Sequence, residues 1–167
     1  MNFRDDGERV YVLWDKYARG RDVEGLLSLY AEDAVLETPL IPAVLDVDVG
    51  VLKGHAELRH FFEEAGRRRP NDLVRWYREQ DKYFYDGSRL IWEYPRAAPD
   101  GDQVELVEMM DLSRGMIRYH RIYWGWFGVG QLVGNALSRQ AHDHARQSPP
   151  IVRRAADTTL SAGAAQT

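Results

Sequence analysis

The sequence predicts an α+β domain: three N-terminal helices on one face of a curved antiparallel sheet shaped as a cone, then a C-terminal helix and a tail. Three observations predict it. Residues 5–66 carry three apolar stripes at three- and four-residue spacing. Residues 73–124 then change to alternation with a period of two, punctuated by Asp86-Gly87 and Ser113-Arg114-Gly115. The chain has 167 residues with 44% hydrophobic side chains and no internal repeat, a length and composition suited to one domain with one core.

The first stripe, Val10, Leu13, Trp14, Tyr17 and Ala18, predicts a helix over residues 5–19 that ends at Gly20. Asp22 caps a second helix, Val23–Ala31, whose apolar face is Val23, Leu26, Leu27 and Tyr30. Residues 34–38 form a short strand stopped by Pro39. Residues 40–51 are apolar, bear one proline and two aspartates, and show no helical period. They read as a lid or cavity rim, with a packed loop or edge strand as the alternative. A third helix, His55–Gly66, presents Leu58, Phe61, Phe62 and Ala65. Arg67-Arg68-Arg69-Pro70 ends it; the helix dipole accounts for the arginines, and an anion site is the alternative. Strands follow over Leu73–Tyr85 and Leu90–Tyr94, and then a hairpin. Residues 131–147 form a last helix and close the domain, 1–147, with 148–167 as a disordered tail.

The hairpin carries the chemistry. With Gly115 as the third residue of a three-residue loop, Leu112 faces Met116, and counting back puts Met110 opposite Arg118, Glu108 opposite His120, Leu106 opposite Ile122 and Val104 opposite Trp124. One apolar face then holds a carboxylate and an imidazole side by side. An unpaired buried carboxylate is costly, so the two are expected to pair or to meet in a wet cavity. Such a pair on an apolar wall is material for general acid–base catalysis; a buried structural ion pair is the alternative.

Composition narrows the function classes. A net charge of −4 argues against a nucleic-acid binder, and the absence of cysteine removes disulfides, thiolate metal sites and cysteine nucleophiles. No apolar run is long enough to span a membrane, and the polar, acidic start is unlike a signal peptide, so a cytoplasmic protein is expected. His142 and His144 are two apart and make a poor metal pair, and no cofactor is expected.

Several segments resemble the nuclear transport factor 2-like superfamily, in its SnoaL-like (polyketide cyclase-like) branch. They are Gly20-Arg21-Asp22-Val23, Leu29-Tyr30-Ala31-Glu32-Asp33-Ala34-Val35, Leu52-Lys53-Gly54-His55-Ala56-Glu57-Leu58, Arg114-Gly115-Met116-Ile117 and His120-Arg121-Ile122-Tyr123-Trp124. The match spans roughly residues 8–126. It implies a cone-like sheet whose cavity is closed by helices, and a homodimer through the outer sheet face, with Val107, Met109, Tyr119 and Tyr123 at the interface. Three enzyme templates follow from it. Ketosteroid isomerases place an aspartate base where Thr38-Pro39 stands here, a tyrosine where Trp14 stands, and a protonated acid at Glu108. Limonene epoxide hydrolases end the sheet in Tyr-x-Asp, here Tyr123-Trp124-Gly125. Polyketide cyclases of the SnoaL type use a carboxylate and a histidine, which Glu108 and His120 match in kind.

The expected function is therefore small-molecule binding in an apolar pocket. Catalysis would be a cofactor-independent cyclisation or isomerisation of an apolar carbonyl compound, with His120 as base and Glu108 orienting it or acting as acid. Trp14, Tyr30, Leu106, Met110, Arg118, Ile122 and Trp124 would contact the substrate. A non-catalytic binding or dimerisation module is the alternative, and an epoxide-hydrolase-like hydrolase the third reading.

Overall fold

The computed structural model describes residues 2–68, 77–98, 101–102 and 105–130. The predicted C-terminal helix and tail lie outside them, as does Val104. Helix α1, Asp6–Gly20, starts where the Asp5 carboxylate accepts the Glu8 N–H and ends where Arg21 turns left-handed at φ 56°. It buries Val10, Tyr11 and Trp14. Helix α2, Val23–Leu27, is capped by Asp22 and is shorter than its stripe suggests. Leu29, Tyr30 and Ala31 are all buried, and the Leu29 carbonyl accepts the Ile117 N–H, so this stretch leaves the helix and enters the sheet. Strand β1 accordingly runs Tyr30–Glu37, four residues earlier than the sequence suggests. The apolar stretch after it is neither a bare loop nor a lid alone. It folds as helix α3, Leu40–Leu45, and edge strand β2, Val51–Lys53. Helix α4, Gly54–Arg68, buries Leu58 and Phe61.

The remaining strands are β3 (Phe84–Tyr85), β4 (Arg89–Tyr94), β5 (Ala97–Ala98), β6 (Gly101–Asp102), β7 (Leu106–Ser113) and β8 (Met116–Trp124). The long strand expected over Leu73–Tyr85 shrinks to β3; residues 73–76 lie outside the described ones, and Asp81 takes a left-handed φ of 57° that ends any extended run. Arg78 leaves the sheet to stack over Tyr11, 3.6 Å from the ring centre, and donates to its carbonyl. The main sheet has the order β2-β1-β8-β7-β4-β3, curved and open. Its pairs are antiparallel except β1 with β8, which run parallel because the whole α3-to-β7 stretch serves as the crossover.

The β7–β8 hairpin differs from expectation in a way that decides the site. Its turn has two residues, not three: Arg114 and Gly115, at φ 53° and 74°, form the primed turn that suits the sheet's twist. Ser113 thus pairs with Met116 and Leu112 with Ile117. An extra residue, Arg118, then bulges out of β8, so Asp111 faces Tyr119, Met110 faces His120, Glu108 faces Ile122 and Leu106 faces Trp124. Each partner after the bulge is displaced by two from the expected register, which keeps Glu108 and His120 on one face as diagonal neighbours. Before the bulge the faces are exchanged: Ile117 is buried, while Met116 is exposed.

Candidate functional site

Arg118 is the site prediction that the structure contradicts. As the bulged residue it points outward, and its guanidinium pairs with Asp33 at 3.0 Å beside the irregular stretch of β1. Every other predicted residue faces inward. Trp14, Leu106, Glu108, His120, Ile122 and Trp124 line a cavity of about 220 Å³ between the sheet and the helices. Tyr30 and Met110 are fully buried against His120's side of the sheet and are not on the cavity wall.

Tyr30 has a role that its place on a helical stripe did not suggest. Its hydroxyl lies 2.7 Å from His120 Nδ1 and 3.0 Å from the Trp14 Nε1 that donates to it. The other imidazole nitrogen, Nε2, meets Glu108 Oε2 in a short contact. The Glu108 carboxylate can only accept, so the proton facing it sits on Nε2. A neutral ring then has its lone pair on Nδ1, and the Tyr30 hydroxyl, which accepts from Trp14 Nε1, gives its own hydrogen there. Nδ1 is then the acceptor, and the ring's single N–H sits on Nε2 and donates to the Glu108 carboxylate. Trp14 also stands edge-on to the imidazole, centroids 5.9 Å apart at 89°. Glu108 and His120 are 1% and 0% exposed, so this hydrogen bond acts with little screening by water.

This arrangement alters the expected roles. Both nitrogens of His120 are occupied within the protein, which leaves no ring lone pair for a substrate proton. Glu108 lines the cavity and is the group there able to accept one.

Burial pushes the Tyr30 phenol well above the usual tyrosine range, and it does the same to Tyr94, where the charge of Glu108 adds to the effect. An unfolded tyrosine ionises near pH 10, so above about pH 10 the unfolded chain holds fewer protons than the folded one. Stability is expected to be complete below that point and to fall as pH rises, by up to about 1.4 kcal/mol per pH unit for each of the two tyrosines. Urea midpoints measured against pH check this. Tyr30→Phe and Tyr94→Phe should each flatten the slope, and an unchanged slope in both would refute it.

The upper wall joins a helix stripe to the stretch expected to form a cavity rim. Phe61, Phe62, Ala65 and Gly66 of α4 and, from that stretch, Leu40 and Val44 of α3 close the cavity opposite the sheet. Periodicity shows that a stripe faces inward but not whether the space before it is filled. Arg21 and Arg68 also reach the lining, and nothing in the sequence tied them to the hairpin. Thr38, where the isomerase template has an aspartate, is buried and accepts from Trp124 Nε1 at 3.2 Å. No group of three or more His, Asp or Glu side chains comes together among the described residues.

A family model described as a SnoaL-like domain matches residues 6–120. The chain belongs to the SnoaL-like family. Solved structures agree on the fold. A SnoaL-like protein of unknown function from Burkholderia thailandensis superposes with a TM-score of 0.57 at 16% identity, over 75% of this chain and 99% of that one. TerC, crystallised with polyporic acid, gives 0.54 at 16% identity over 78% and 99%. A protein named as a candidate ketosteroid isomerase from Kribbella flavida gives 0.51 at 16% identity over 72% and 78%. No curated protein matches the sequence. No helix among the described residues of this SnoaL-like protein is long and apolar enough to cross a membrane.

Proposed function

We propose that this protein binds a small, apolar, carbonyl-bearing molecule and moves a proton on it without a cofactor, as an isomerase or a cyclase. The observation that carries the reading is a carboxylate, Glu108, held by an imidazole whose other nitrogen is occupied, on the wall of an otherwise apolar cavity. Glu108 takes the proton from the carbon next to the carbonyl, and the electron pair of that C–H bond moves into an enolate. The proton then returns to a different carbon, or the enolate carbon attacks a second carbonyl and closes a ring, and the alkoxide so formed takes the proton back from Glu108. His120 keeps donating its Nε2–H to the carboxyl group, and Tyr30 and Trp14 hold the ring in that tautomer. The cavity exceeds the roughly 150 Å³ that takes up benzene, so a compact ring system fits. A neighbour of the same fold was crystallised with polyporic acid, which supports a small-molecule reading of the cavity.

The test is hydrogen exchange. The protein in heavy water, given a panel of cyclic ketones and aryl ketones, should wash deuterium into the position next to the carbonyl faster than buffer does. Loss of that excess on thermal unfolding should follow. A panel in which ligands bind but none exchanges faster than in buffer would favour the binding-module reading, which the complete internal satisfaction of the Trp14–Tyr30–His120–Glu108 chain also suits.

The same reading includes a homodimer through the outer sheet face, where Tyr123 is 50% exposed and Val107 and Met109 are half-buried. Tyr123→Glu should convert the species seen by sedimentation from dimer to monomer. A wild-type monomer would remove the dimer from the proposal and leave the cavity chemistry untouched.

A further inference from the structure

The cavity has a polarity that the proton-transfer reading does not use. Among its described lining residues, Arg21 and Arg68 alone are exposed; the remainder are buried or half-buried. The two guanidinium-bearing side chains come from different elements to the same end of α4. Arg21 is the left-handed residue that ends α1, and its Cγ lies 4.0 Å from where a Cβ on Gly66 would be. Arg68 is the last residue of α4, two positions beyond Gly66. Gly66 itself lines the cavity and puts no side chain between them and the interior. The other polar groups of the lining, Glu108 and His120, are fully buried, and the remaining lining side chains are aliphatic and aromatic.

We propose, resting on the reading of this cavity as a small-molecule site, that its ligand is a carboxylic acid. Its apolar ring body and carbonyl point to Glu108, and its carboxylate stays at the mouth between Arg21 and Arg68. The opposite orientation would bring two carboxylates together in an apolar interior, where like charges repel strongly. Arginine suits the task, because a planar guanidinium binds a carboxylate through two parallel N–H donors. Arg68 is already engaged, with Asp46 at 3.3 Å and Glu64 at 3.7 Å. The Asp46 pair is exposed on both sides, and pairs of this kind contribute little, so a ligand carboxylate backed by an apolar body can replace Asp46. The charge pattern then does what shape alone cannot do in an apolar pocket: it sets which end of the molecule meets the base.

The test compares matched acids and amides. Dissociation constants are measured by calorimetry for para-acetylbenzoate, an acetylnaphthoate and an acetylbiphenyl carboxylate, each against its neutral carboxamide. The protein and its Arg21→Gln/Arg68→Gln variant are titrated. In the wild type the acid should bind about tenfold or more tightly than its amide. The preference should shrink with added salt and vanish in the variant, because the acid loses more affinity than the amide does. Equal binding of acid and amide by the wild type would overturn the proposal but leave the apolar cavity reading intact. So would a preference that survives both substitutions. No binding by either member across the series would overturn the cavity reading and this proposal with it.

Discussion

A Glu108→Gln variant is expected to slow deuterium wash-in by about 10²- to 10⁴-fold while its unfolding free energy stays within about 1 kcal/mol of wild type. Glutamine has the shape of glutamate, and its carbonyl oxygen can still accept the His120 Nε2–H, so the hydrogen-bonded chain from Trp14 onward survives. What it cannot do is take up a proton. His120→Ala should behave differently: it removes the donor and leaves the Glu108 carboxylate buried without a partner, at a cost of about 3–5 kcal/mol. Adding Glu108→Gln to His120→Ala removes that stranded charge, so the double variant should be more stable than His120→Ala alone. Urea unfolding of the four proteins and exchange rates of the folded ones check both statements. Exchange by Glu108→Gln within threefold or so of wild type would take the base away from Glu108. A double variant less stable than His120→Ala would show that the carboxylate is not held by the imidazole.

How much of this was legible beforehand depends on which physical rule each feature obeys. The face shared by Glu108 and His120 was legible because strand side chains alternate, and an error of two residues in register preserves the face. Which residues touch was not. The sequence suggests a loop of Ser113-Arg114-Gly115 with one left-handed residue, whereas Arg114 is left-handed as well, which a single sequence does not announce. The shortened turn and the bulge at Arg118 each shift the register by one, and the two shifts add. That addition kept the pair together and also turned Arg118 out to Asp33 and Ile117 in. The helical period of Val23, Leu26, Leu27 and Tyr30 puts Tyr30 on the apolar face of a helix. In the fold, helix α2 stops at Leu27, and Tyr30 opens β1, where the parallel pairing with β8 sets its hydroxyl beside the imidazole. Helix positions were the most secure, since α1 and α4 carry stripes several turns long and α1 has an aspartate cap in addition. Whether a stripe meets a packed neighbour or a hollow depends on elements far away in the chain, so Phe61, Phe62 and Ala65 read as core and proved to be wall.

Deleting Arg118 is expected to leave the site standing, and deleting Arg121, three residues on, to remove a large part of the stability. The turn pairs Ser113 with Met116 and Leu112 with Ile117. Strict alternation from there would bring His120 opposite Met109, on the outer face. Arg118 is the spare residue that prevents this. Without it, Tyr119 follows Ile117 directly, faces Asp111 as it already does, and leaves His120 opposite Met110. The loss is local twist and the exposed Arg118–Asp33 ion pair, of a kind contributing about 0–1 kcal/mol. No spare residue sits at Arg121. After its deletion the strand can hold His120 in place and turn Ile122 and Trp124 outward, or straighten the bulge to keep those two inside and turn His120 outward. The first exposes two large apolar side chains, at about 1.5–3 kcal/mol each for full exposure; the second strands a buried carboxylate, at about 3–5 kcal/mol. Either is a large part of the 5–15 kcal/mol that ordinarily separates folded from unfolded chains. Near-ultraviolet circular dichroism reports the packing of Trp14, Trp92 and Trp124; it should be native for the Arg118 deletion and changed for the Arg121 deletion, whose urea midpoint should also fall well below that of the Arg118 deletion. Two deletions of equal stability would mean that the bulge at Arg118 does not set the register that brings Glu108 to His120.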